Sequence, residues 1–276
     1  MKKLIALLLA GCMMAAMVVG CGSKEEPADV PAAETEDTAE AESDLAYVKD
    51  KGVLVVGITD FAPMDYKNED GEWIGFDADM AKYFAGELGV EVEFVEIDWD
   101  NKILELDSKT IDCVWNGMTL TDEVKAAMDC SNAYCNNAQV VIVPTEKAQE
   151  YQTVESLDGL AFAVEAGSAG EAEVSALGLD YTPVKAQSDA LMEVAAGTSD
   201  AAVIDSLMAA AMVGPDTGYA DLTYTVALNS EEYGVGFRQG SDLVDEINAF
   251  FAKVYAEGTM QEIAETYGVD AAIVEQ

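Results

Sequence analysis

From residue 53 onward, short apolar runs alternate with stretches whose apolar residues recur at helical spacing. Residues 53–58 (VLVVGI) read as a strand. Phe76, Met80, Phe84 and Leu88 then fall four apart, so residues 77–88 form a helix with one apolar stripe. Asp77 stands where it can cap that helix, and Gly89 where it can end it. Residues 90–97 alternate with period two, 102–106 suit a short helix, 111–115 a strand and 122–128 another helix. Such a β-α-β-α-β series predicts a parallel sheet covered by helices on both faces. A strand at 139–143 is bounded by Pro144, and a second series follows. It comprises strands at 160–164, 181–184 and 201–204, with helices at 169–177, 188–196 and 207–213. Strands at 223–226 and 233–237 and helices at 243–257 and 260–267 complete the pattern. Two α/β units joined by one long strand predict two lobes with a cleft between them.

The first 44 residues follow other rules. Lys2 and Lys3 precede a mostly apolar run from Leu4 to Val19, which is short for a membrane span and reads as an export signal. An uncleaved anchor is the alternative. The run closes on Val18-Val19-Gly20-Cys21, which resembles the lipobox of bacterial lipoproteins and makes Cys21 the expected lipidation site. Leu9-Ala10-Gly11-Cys12 fits the same pattern, but only a short apolar stretch precedes it and apolar sequence continues past Cys12. Residues 22–44 hold nine acidic residues, one Lys, two Pro and no aromatic. Nothing there offsets the entropy of ordering, so a disordered acidic tether is expected.

Charge and composition remove several classes of function. The 276 residues carry 14 Lys+Arg against 53 Asp+Glu, a formal net charge of −39, which excludes nucleic acid as a partner. Histidine is absent, which removes His-based triads and His-ligated zinc; no metal or cofactor is expected. Lys67-Asn68-Glu69-Asp70-Gly71 lacks the alternating acids of a calcium loop and reads as a hairpin turn. Beyond residue 21 three cysteines remain, Cys113, Cys130 and Cys135. Their odd number argues against a disulfide framework, and buried free thiols are favoured over a Cys130–Cys135 bond.

Several strand ends carry candidate chemistry. Leu160 to Val164 leads into Glu165-Ala166-Gly167-Ser168-Ala169-Gly170 and a helix, a junction whose N–H groups and hydroxyl suit a carboxylate. Ser168 as a plain N-cap is the simpler reading. Trp115 to Thr121 ends a strand in the same manner, with Gly117, Thr119 and Thr121 ahead of a helix. Asp205 directly follows an apolar strand, where open α/β sheets bind ligands. It could pair with an ammonium or cap the next helix. Asp98-Trp99-Asp100 and Asp60-Phe61 end two further strands, with aromatics suited to a ligand or to a core lid.

Seven stretches together resemble the polar amino-acid solute-binding proteins of bacterial ABC importers, extracellular family 3. They are GITDFAPMDY, GEWIGFDADMAKYFAGELGVEVEFV, KTIDCVWNGMTLT, VESLDGLAFAVEAGSAGE, TSDAAVIDS, YGVGFRQGSDLVDEIN and GTMQEIAETYG, in the family's order from Val53 to the C-terminus. The resemblance implies a type II periplasmic-binding-protein fold, two α/β lobes joined by two crossing strands that close over one ligand. Carried over by position, Phe61 and Trp99 resemble the aromatics flanking the ligand, and Asn116 the polar group reading its side chain. Gly117 would offer its carbonyl to the ligand ammonium, and Thr119 its hydroxyl and N–H to the α-carboxylate. Ser168 and the Ala169 N–H match the second lobe's carboxylate donors, and Asp205 the acid that pairs with the ammonium. One departure stands out. The family places an Arg in the helix after the Thr-x-Thr segment to clamp the α-carboxylate, and here that residue is Val124. Arg238, the one arginine of the chain, matches a surface position instead. Lys125 is then the candidate substitute, unless hydroxyls and N–H groups suffice or the ligand lacks a carboxylate there.

The resulting expectation is a signal peptide over 1–20 and a lipidated Cys21 with tether over 21–45. Lobe 1 is expected from 46–136 plus 232–276, and lobe 2 from 137–231. The resemblance implies a monomeric, lipid-anchored receptor on the outer face of the membrane. It would capture an amino acid or analogue and deliver it to an ABC permease, without catalysis. A lyase of the cyclohexadienyl-dehydratase type on the same fold, or a ligand sensor for a signalling receptor, are the alternatives.

Overall fold

The computed structural model describes residues 43–276. The export signal, Cys12, Cys21 and most of the expected tether lie outside the described residues. Helix α1 (Asp44–Lys51) was not expected from the sequence. Ser43 caps it and also hydrogen-bonds Asp242, while Asp44 forms an ion pair with Arg238 at 3.0 Å. Ser43 and Asp44 therefore belong to the folded unit, not to a disordered tether, and lobe 1 begins before residue 46.

Strand β1 (Val53–Ile58) is followed by a hairpin of β2 (Tyr66–Lys67) and β3 (Trp73–Ile74), then α2 (Phe76–Leu88) and β4 (Glu91–Glu96). Helix α3 (Lys102–Asp107), β5 (Cys113–Thr119), α4 (Asp122–Ala127), β6 (Asp129–Cys130) and β7 (Cys135–Asn137) complete the first pass through lobe 1. The chain crosses at Ala138 into β8 (Gln139–Pro144), β9 (Ala161–Glu165), α5 (Ala169–Ala176), β10 (Asp180–Val184), α6 (Gln187–Ala196), β11 (Ala201–Asp205), α7 (Ser206–Met212) and β12 (Leu222–Ala227). It returns through residues 228–230 to β13 (Glu231–Phe237), α8 (Leu243–Glu257) and α9 (Thr259–Tyr267). One sheet has the order β4-β1-β5-β13-β6, with β7 also on β13; the other runs β10-β9-β11-β8-β12. The β1–β4 and β1–β5 pairs, and β9 with β10 and β11, are parallel, while the returning strands β13, β8 and β12 pair antiparallel. Each lobe is thus built around its own sheet, and the chain crosses between them twice.

The stripe expected on α2 is buried: Phe76 and Met80 are fully covered and Phe84 nearly so. Phe84 meets the edge of Trp115, which packs on Phe251 of α8. Burying each such ring contributes about 1.5–3 kcal/mol, so this aromatic cluster fixes β5 against the helices and sets where its far end lies. Two expectations are corrected here. Asp77 does not cap α2, whose N-cap is Gly75 with no side-chain bond; it turns inward and accepts from the Gly117 N–H and the Tyr134 hydroxyl, both at 2.7 Å. Arg238 is not a surface residue: it is buried and donates to the carbonyls of Leu106 and Ile111 as well as to Asp44. Gly89 ends α2 in the left-handed conformation, as expected, and Cys113, Cys130 and Cys135 are free thiols.

Candidate functional site

A cavity of about 650 Å³ opens between the lobes at the carboxyl ends of β5, β9 and β11. The eight residues carried over by position from the family resemblance all line it: Phe61, Trp99, Asn116, Gly117 and Thr119 from lobe 1, and Ser168, Ala169 and Asp205 from lobe 2.

Phe61 is held by the turn after β1, where its N–H donates to the Asp65 carbonyl at 2.7 Å, and its ring stands edge-on to Tyr233. Gly117 has φ +54°, a left-handed conformation that suits glycine, and a Cβ there would lie 2.5 Å from the Phe61 ring. Its N–H is anchored by Asp77, which leaves the carbonyl as its remaining polar group. Asn116 accepts from the Thr59 N–H, while its amide nitrogen is buried without a partner. Thr119 donates its one hydroxyl proton to Glu231 at 2.9 Å, so in this arrangement that proton is not available to a ligand carboxylate.

On the opposite wall Ser168 does cap α5, accepting from the Glu171 N–H at 3.1 Å. Ala169 opens the helix, where N–H groups have no intrahelical acceptor. Asp205 does not cap α7. Its carboxylate is buried and accepts from Asn137, Gln139, Gln187 and the Tyr233 hydroxyl, the last at 2.6 Å. Burial nevertheless pushes its pKa up to about 7, with Glu231 adding to the rise and the bonds from Tyr233, Gln187 and Gln139 opposing it.

Val124 lines the cavity and also packs with Trp99, Met118 and Met128, so an apolar wall stands where an Arg was expected. Lys125 is exposed and absent from the lining, which removes it as the substitute. The one basic lining residue is Lys102, at the start of α3. Its ammonium lies 4.8 Å from the Trp99 ring centre and donates to the Trp99 carbonyl at 3.1 Å and the Gly167 carbonyl at 2.9 Å. Burial lowers its pKa, while Glu165 acts in the other direction. The second bond crosses the cleft, as does the Lys185–Asp98 pair at 3.4 Å. Gly167, at φ +71°, comes so near lobe 1 that a Cβ would lie 2.6 Å from the Asp100 Cα. The rim is acidic, with Asp100, Asp122, Glu123 and Glu171 all contributing.

Lys102, Glu165, Gln139 and Gln187 were not singled out as site residues from the sequence. Glu165 had a signal, since it ends an apolar strand just as Asp205 does. The glutamines had none, because only tertiary packing brings them to Asp205.

The family model of the bacterial extracellular solute-binding proteins, family 3, matches residues 54–270. The chain belongs to this family. The L-cystine-binding protein TcyJ of Escherichia coli K12 is 29% identical over 231 residues, 82% of this chain and 86% of that protein. A crystal structure of a mutant of ArgBP from T. maritima superposes with a TM-score of 0.77 at 34% identity, covering 82% of this chain and 99% of that one. The ancestral amino acid-binding protein AncCDT-1, a precursor of cyclohexadienyl dehydratase, superposes at 0.75 with 30% identity, covering 82% and 99%. The fold is that of type II periplasmic binding proteins, and this family member has the cleft between its two lobes.

Proposed function

We propose that the protein is the external receptor of an ABC importer: it traps an amino acid or close analogue between its lobes and hands it to the permease unchanged. The observation that carries this reading is Asp205, a buried carboxylate at the end of β11 in the cleft, ringed by four donors and directed at no helix terminus. A carboxylate so prepared suits an ammonium, and the apolar faces of Phe61 and Trp99 suit the rest of a small ligand. The relatives bind cystine or are named as amino-acid-binding, in keeping with this chemistry. Lipidation at Cys21 would tether a monomeric receptor to the outer face of the membrane by a long acidic spacer. Thermal denaturation of the protein with each amino acid, followed by calorimetry on those that raise the Tm, tests the reading. A ligand at 100 times its Kd stabilises by about 2.7 kcal/mol. Failure of every amino acid, amine and dipeptide to bind would end it.

A second reading rests on the buried carboxyls. Asp205 near 7 and Glu165, pushed by burial up to about 8, lie in the range of a general acid in a cleft. A lyase of the cyclohexadienyl-dehydratase type would use such a group. Incubation with prephenate and arogenate decides: release of carbon dioxide and water would replace the receptor reading.

A further inference from the structure

The geometry points to Glu165 as a second cation anchor of the cavity, and hence to a small aliphatic dication as the ligand: one positively charged nitrogen on Asp205 and the other on Glu165. This deepens the receptor reading and rests on it. Glu165 ends β9, is 2% exposed, and lines the cavity. Its Oε1 has no hydrogen-bond partner. A buried carboxyl oxygen left unbonded is costly, and most buried polar side-chain atoms find a partner. Gln187 lies within reach of this carboxyl group, but among the buried carboxyl oxygens without a partner in the described residues this is the one that lines the cavity, where a ligand can supply the bond. Asp205 presents a different case, since four side chains already hold its carboxylate in place. The two acids are close enough for each charge to be felt: Asp205 follows burial as the largest influence raising the Glu165 pKa. Ionised together in a desolvated cavity, the two would call for compensation by positive charge, which a bound dication supplies. Lys102 supplies some attraction, but two of its three protons are committed to carbonyls, and it is the one base against six lining acids. With Val124 in place of an arginine, the cavity favours positive charge throughout.

Two ligand types share this chemistry: an amino acid with a cationic side chain, and a linear diamine. Calorimetry with lysine, ornithine, arginine, putrescine and cadaverine, against norleucine and glutamine as uncharged counterparts, tests the proposal and separates the two. The expected result is that at least one dication binds at least 100-fold more tightly than norleucine or glutamine. Glu165→Gln should cut that ratio at least tenfold. This substitution keeps shape and can still donate or accept, and the Tm without ligand reports whether the variant folds. Lysine-type ligands ahead of diamines would assign the amino acids; the reverse order would assign the diamines. Norleucine or glutamine binding as tightly as every dication would overturn the proposal while leaving the receptor reading intact. So would an unchanged ratio in a folded Glu165→Gln protein. Tightest binding of glutamine would mean that Glu165 acts as a neutral hydroxyl donor. Absence of binding by any of these and by all other amino acids would overturn both readings.

Discussion

Asp205 is buried in a way that resists its ionisation, and a cationic ligand would reverse that demand. Without a cation, its ionisation in the folded state is opposed by burial, and its pKa of about 7 lies above the 3.8 of an unperturbed Asp. A group whose pKa is raised by folding holds its proton more tightly in the folded state. Its stabilising contribution is complete below about 4 and is lost as pH rises to about 7. At 1.36 kcal/mol per pKa unit the loss is up to about 4 kcal/mol. The unliganded wild type should therefore melt progressively lower from pH 4 to pH 8, and Asp205→Asn should melt closer to the wild type, or above it, at the alkaline end. On the proposed receptor reading, a ligand ammonium would restore the balance by pairing with the ionised form. In calorimetry at pH 7.5, Asp205→Asn is expected to lose roughly 2–5 kcal/mol of binding free energy, as for one side of a desolvated charge pair. Equal pH slopes and equal affinities for the two proteins would remove Asp205 from the site. None of this was legible from the strand-end position alone, which left ammonium partner and helix cap both open. The fold shows that Asp205 does not cap α7 and brings donors to it from four other segments, which no spacing in the sequence could reveal.

At the scale of elements, the alternation of apolar periods located the helices and most strands, because each element buries one face or both. Its failures share a cause. Helix α1 escaped notice because its sequence, DLAYVKDK, continues the acidic character of the tether, and its support comes from Asp242 and Arg238, almost 200 residues away. Strand β5 runs on to Thr119 because β13 pairs with it, a partner supplied by the second crossing. Asp77 stood at a capping position, yet the Gly117 N–H and Tyr134 hydroxyl competed for its carboxylate and won. The glycine after β9 offers a test of element packing. Gly167→Ala places a methyl group against the Asp100 backbone only where the lobes meet, so the cost falls on closure. The positive φ adds about 1 kcal/mol of strain. We expect a near-normal Tm without ligand and affinity reduced about tenfold or more. Small-angle scattering of the saturated variant should give a larger radius of gyration than that of the saturated wild type. A variant that compacts and binds like the wild type would show that the close approach is dispensable.

For the molecule as a whole, the two-lobed arrangement was readable from two successive α/β series joined by a strand. The character of the cavity was not, because it depends on which acids converge. The sequence contains 53 acidic residues, and although Glu165 and Asp205 each end an apolar strand, nothing in the spacing shows that these two meet in one cavity while other buried acids, such as Asp65 and Asp112, do not. The rim acids Asp100, Asp122, Glu123 and Glu171 have a consequence in time. They do not need to touch the ligand to act on it, since a negative potential at the mouth gathers cations from beyond contact range and accelerates encounter. At 0.15 M salt that reach shrinks to about 8 Å, and at 0.01 M it extends to about 30 Å. Stopped-flow mixing with a dication, followed by the fluorescence of Trp99 beside the cavity, should show an association rate that falls steeply as salt rises over this range. The dissociation rate should change far less, because departure starts from inside the closed cleft, where mobile ions do not reach.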